Sequence, residues 1–118
     1  MQIVQKFLIL FTFSLIIFSC SRDRVEEVSC DEDNYPTYSG EIRSIINTTC
    51  AYTGCHVNGT GYGDYTNFQS MEADFGPTFL DQISTNSMPP SYAEGPKELS
   101  ASELLAFQCW IQGGYLEN

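Results

Sequence analysis

Cys50-Ala51-Tyr52-Thr53-Gly54-Cys55-His56 brings together two thiols and the only histidine of the chain. A Cys followed directly by a His is how a c-type haem is held: the thiol bonds to the porphyrin, and the next side chain is aimed at the iron. In that motif the thiols are usually two residues apart; here four residues separate them. A second group that can reach a metal lies in Ser87-Met88-Pro89-Pro90. Met88 offers a soft thioether, and the prolines hold the chain extended and restrict the methionine's freedom to leave. His56 would ligate as a neutral imidazole through one ring nitrogen, with the other donating to a carbonyl that fixes the ring. Met71 competes with Met88, but it falls on an amphipathic stretch where core packing accounts for it.

Other chemistries fit these residues less well. A lone His in a Gly-rich polar stretch is usually a surface histidine, and only the Cys before it raises the metal reading. One His and scattered thiols lack the paired knuckles of zinc modules. The Cys-x-x-Cys spacing and βαβ context of a thioredoxin-type site are absent. With its only His engaged, the chain offers no Ser/His/Asp set, and no carboxylate pair stands apart from the solvated acids, so an enzyme is not expected. Gly59, Gly61 and Gly63 follow no strand and read as turn residues rather than a phosphate cradle.

The elements that must position these side chains are short helices joined by turns. Ser39 can cap a helix with Ile42, Ile45, Ile46 and Thr49 on one face, which delivers Cys50 at its end. Glu41 sits in its first turn, where the helix dipole favours an anion. Thr66-Asn67-Phe68-Gln69 can open a second helix that Gly76-Pro77 ends, and Thr78 starts a third piece with Phe79, Leu80 and Ile83. Asn86 to Lys97, which contains Pro89, Pro90 and Pro96, is irregular. Ser100-Ala101-Ser102-Glu103 is a capping box. It opens a helix striped by Leu104, Phe107 and Ile111, widened by Leu105 and Trp110, and stopped by Gly113-Gly114. No alternating strand pattern of useful length is present. The fold class expected is all-α.

The N-terminus sets the compartment. A single basic residue, Lys6, precedes the apolar run Phe7 to Phe18, and Ser19-Cys20 follows. This is the pattern of an export signal, too short to span a bilayer comfortably. Ile17-Phe18-Ser19-Cys20 resembles the lipobox of bacterial lipoproteins, which implies cleavage after residue 19 and a lipid anchor on Cys20. The mature chain of 99 residues then carries four Lys and Arg against fifteen Asp and Glu, a formal charge of −11. Nucleic acid, which needs a basic surface, is excluded as a partner. A basic protein partner met by electrostatic steering fits. Acids crowd residues 20–35, which read as a solvated tether. Residues 36–118 must then form the core, and a domain of about 80 residues is marginal on apolar burial alone. It wants a covalent staple, a metal or a cofactor.

Tyr38-Ser39-Gly40-Glu41-Ile42, Gly54-Cys55-His56, Met88-Pro89-Pro90 and Leu99 to Gly113 occur in an order that resembles the small class I cytochromes c. The closer likeness is to the cytochrome-c-like domains of bacterial lipoproteins. The resemblance covers residues 36–118. It implies three to four short helices around a covalently bound haem c, with Cys50, Cys55, His56 and Met88 as cofactor-binding residues and His56 and Met88 on the iron. The aromatics Tyr52, Tyr62, Tyr65, Phe68, Phe75, Phe79, Tyr92, Phe107 and Trp110 would wall the porphyrin. The function implied is single-electron transfer by a monohaem protein tethered to the cell envelope, at the periplasmic or outer-membrane face.

Two cysteine schemes suit that reading. In one, Cys50 and Cys55 form thioethers and Cys30 pairs with Cys109, which leaves no thiol unpaired. In the other, Cys55 alone holds the haem, Cys50 pairs with Cys109, and Cys30 stays free. A rival reading has no haem: four cysteines in two disulfides would staple a surface lipoprotein that serves as a binding or structural module. A weaker rival keeps the haem but has a labile Met88, and binds small gases.

Overall fold

The computed structural model describes residues 28–118. The expected signal peptide, the expected lipidation of Cys20 and the first part of the expected tether lie outside the described residues. Every regular element among the described residues is helical, so the architecture is all-α.

A π-helical turn, Tyr38–Ile42, runs straight into helix α1, Arg43–Thr49. The N-cap is Thr37, whose hydroxyl accepts from the Gly40 N–H at 3.1 Å. Ser39, the cap expected from the sequence, instead bonds the Asn118 side chain at 2.8 Å. The difference follows from the wider opening turn. The Ile42 N–H reaches back five residues to the Thr37 carbonyl at 3.2 Å, which moves the start upstream of Ser39. The expected apolar face is nonetheless the buried one: Ile42, Ile45, Ile46 and Thr49 are all buried.

Helix α2, Phe68–Met71, is capped by Asn67, which accepts from the Ser70 N–H at 2.9 Å. It tightens into a 3₁₀ turn, Glu72–Asp74. Helix α3 is Pro77–Ser84. Pro77 therefore opens α3 rather than closing the helix before it, and Thr78 is its second residue. A proline at the first helical position loses nothing, because that N–H has no intrahelical partner.

Helix α4, Ala101–Gln112, starts in the expected capping box. The Glu103 N–H donates to Ser100 Oγ at 3.3 Å, and the Ser100 N–H donates to Glu103 Oε2 at 2.8 Å. Its inner face is Ala106, Phe107, Cys109 and Trp110. Leu105, expected to widen that face, is 42% exposed. It lies two residues from Phe107, roughly 200° around the helix, and so points outward. Phe107 and Trp110 are fully buried against Tyr38, Ile42, Ile46, Met71, Phe79 and Ile83. Burying a side chain such as Phe107 contributes roughly 1.5–3 kcal/mol.

The ends of the domain are tied together. The Leu116 carbonyl accepts from the Tyr38 N–H at 2.8 Å and from Trp110 Nε1 at 2.8 Å. Cys30 is disulfide-bonded to Cys109, 79 positions away. The end of the acidic segment is thus pinned to α4, while Asp31, Glu32 and Asp33 stay exposed. Tyr35 packs over Gly113 so closely that a Cβ there would fall 2.7 Å from the ring.

Candidate functional site

Helix α1 ends at Cys50, whose N–H donates to the Ile46 carbonyl at 2.8 Å. The chain then turns sharply. The Cys55 N–H donates to the Tyr52 carbonyl at 2.9 Å, and Gly54 takes φ +86° at the third position of that turn, where glycine is favoured. The His56 N–H returns to the Cys50 carbonyl at 3.1 Å. Residues 51–54 therefore bulge as a closed loop, and Cys50, Cys55 and His56 come together at its base. The Gly-rich stretch that follows closes in the same way, with the Tyr65 N–H donating to the His56 carbonyl at 3.0 Å. Gly63 suits that stretch: its φ of +84° favours glycine, and a Cβ would crowd the end of the Asp74 carboxylate at 2.7 Å.

On the far side of the site the chain leaves α3 and folds back on it. The N–H groups of Ser87 and Met88 donate to the Gln82 carbonyl at 2.9 and 3.1 Å. The Met88–Pro89 peptide is cis, and Pro89 is buried. Between these two segments lies a cavity of about 620 Å³, bordered by Cys50, Cys55, His56 and Met88. Its volume falls within the roughly 300–1,000 Å³ of small-molecule and cofactor pockets. Met71 is fully buried in the core and does not border it.

Six of the expected aromatics line the cavity: Tyr52, Tyr62, Tyr65, Phe75, Phe79 and Tyr92. Phe68, Phe107 and Trp110 do not, because they pack into the helical core instead. Tyr62 and Tyr92 are 67% and 85% exposed, which places them at the mouth. The Tyr65 ring lies nearly parallel to the His56 ring, 3.9 Å between centroids and 11° between planes.

The thiols of Cys50 and Cys55 are free, and both residues are half-buried. Cys109 is engaged with Cys30, so it does not compete for Cys50. Burial, reinforced by Cys55 and Glu103, pushes the Cys50 thiol up to about 12. It is therefore a neutral thiol at pH 7. Burial lowers the His56 pKa below its usual 6.5, against opposing contributions from the Tyr62 carbonyl and Asp74. The imidazole is accordingly neutral at pH 7, which is the form that ligates a metal. Burial and the neighbouring Asp74 carboxylate raise the Tyr65 pKa.

The donor set fits a haem. His56 Nδ1 is buried with no hydrogen-bond partner, and such an atom costs free energy unless something is bound to it. Among the described residues, no three His, Cys, Asp or Glu side chains group closely enough to hold a bare ion. Cys50, Cys55, His56 and Met88 instead border one cavity that six aromatic side chains also line. That arrangement suits a flat group bonded at its edge and ligated at its centre.

Sequence reasoning named Tyr65 only as one wall aromatic and missed Asp74 and the Gln82 carbonyl. Asp74 carries no motif; its role appears only once Gly63 lets the glycine loop approach it. No family model, curated protein or solved structure matches this chain.

Proposed function

We propose that the domain is a small cytochrome-c-like electron carrier, a membrane-tethered monohaem protein that moves one electron at a time. The observation that carries this reading is the common cavity of Cys50, Cys55, His56 and Met88, which joins Met88 to the Cys50–His56 loop from a separate part of the sequence. A haem c bound there supplies a one-electron iron couple. The rest falls to the chain's own residues. Cys50 and Cys55 provide thiols for covalent attachment. His56, kept neutral by burial, offers a ring nitrogen, and Met88 offers a thioether sulfur; that pair raises the reduction potential and closes the metal to oxygen. Phe75, Phe79 and Tyr65 limit water at the apolar wall.

The exposed acids and scarce bases favour a basic redox partner and a salt-sensitive encounter. The lipid anchor on Cys20 would keep the domain at the cell envelope. The role proposed is electron transfer rather than catalysis. The rival, a haem-free stapled binding module, gains less from the structure, since two cysteines stay unpaired at the cavity.

The test is a spectroscopic redox titration of protein made in a host with haem-attachment machinery. A reversible one-electron step with a low-spin spectrum in both states supports the reading. A spectrum free of haem absorption rejects it.

A further inference from the structure

We infer that Tyr65 is a positioning residue for His56: its ring fixes the plane of the imidazole that the proposed function places on the iron, and the inference rests on that reading. The last side-chain torsion of a histidine is soft, so the ring plane needs an external constraint. A ligating His usually gets it from a hydrogen bond on its second nitrogen. Here the Tyr62 carbonyl lies near the ring, and a single contact at the edge would leave the ring free to swing about it. Nδ1 has no partner in the protein and is the atom left for the metal, so the chain sets the ring plane through no hydrogen bond there. The near-parallel Tyr65 ring at 3.9 Å covers a whole face and removes that freedom.

Tyr65 is itself held on several sides, as a positioning plate must be. Its N–H donates to the His56 carbonyl at 3.0 Å, and its carbonyl accepts from the Tyr38 hydroxyl at 2.8 Å. Phe79 meets its ring edge-on at 6.3 Å, and its hydroxyl faces the Asp74 carboxylate. Most aromatic pairs of the core, such as Tyr38–Phe68, Phe79–Phe107 and Phe75–Trp110, meet edge to face, at 64°, 62° and 89°; Phe75–Tyr115 shares the near-parallel arrangement, at 4.3 Å and 8°.

The plane of an axial imidazole sets how unpaired spin spreads over a ferric haem, so the haem methyl proton resonances report it. The full chain is compared with Tyr65→Phe, which keeps the ring, and Tyr65→Leu, which removes it. The methyl shift pattern is expected to be preserved in Tyr65→Phe and rearranged in Tyr65→Leu. An unchanged pattern in Tyr65→Leu, or the same change in both variants, overturns the inference. Should Tyr65→Leu fail to fold, the wild-type ferrous protein is read for nuclear Overhauser contacts between the two rings. Their presence upholds the stack and their absence overturns it. A wild type without covalent haem would reject the electron-carrier reading, and the same ring-to-ring contacts in that haem-free protein then decide the Tyr65–His56 relationship separately.

Discussion

The N–H of His56 donates to the carbonyl of Cys50 at 3.1 Å. This single backbone bond absorbs the long spacing between the thiols. The four intervening residues form a loop whose ends meet, and both thiols border the same cavity. Both sulfurs can then serve one bound group.

Each thiol is therefore expected to hold the haem on its own. Cys50→Ala and Cys55→Ala should each keep the haem through one thioether, at reduced yield. The double variant should release it on acid–acetone extraction. Intact-mass measurement before and after extraction checks this. Covalent haem persisting in the double variant would place the attachment elsewhere.

The two methionines should behave oppositely. Met88→Ala should lower the midpoint potential and admit cyanide or carbon monoxide to the iron, with little loss of stability. Met71→Ala should cost about 2–5 kcal/mol, as for a fully buried side chain, while leaving the ligation spectrum unchanged. Potentiometry and urea unfolding separate them, and exchanged outcomes would make Met71 the ligand.

The Cys30–Cys109 bridge constrains most of the domain. Replacing both cysteines by Ser should cost about 2–4 kcal/mol. For a domain of this size that lowers Tm by roughly 10–25 °C. Thermal unfolding followed by circular dichroism measures the loss. Haem attachment should survive, because neither sulfur borders the cavity.

The span and cap of helix α4 were legible from the sequence because a capping box and a Gly-Gly stop are local. Its inner face was legible only in part: Phe107 and Trp110 point inward as expected, Leu105 points out, and Ala106 and Cys109 are buried beside them. The buried face of α1 was legible for the same local reason. The Thr37 cap was hidden because a π turn does not alter the apolar pattern that follows it. The shared Leu116 carbonyl, the Tyr65–His56 stack and the approach of Asp74 to Gly63 were illegible. Each joins segments brought together only by the tertiary fold, and no spacing rule records such a meeting.

The haem-free protein should lose stability at both ends of the pH scale. The His56 pKa is lowered in the folded state, so its contribution is complete above about pH 6.5 and is lost as pH falls through the folded value. The Cys50 pKa is raised from 9.0 to about 12, so its contribution is complete below pH 9 and is lost as pH rises toward 12. The alkaline loss should approach about 1.4 kcal/mol per pH unit. In the haem-bound protein neither group is free to titrate, and both dependences should vanish. Urea midpoints across pH for the two forms check this, and identical profiles would mean that Cys50 and His56 remain free in both.

The most direct test of the central claim is the intact mass of the full chain, made in a host with haem-attachment machinery and extracted with acid–acetone. The expected result is a red protein that keeps the mass of one haem after extraction, with Cys50 and Cys55 no longer free. A colourless protein at the mass of the polypeptide alone, with Cys50 and Cys55 recovered as thiols or as a second disulfide, would contradict it.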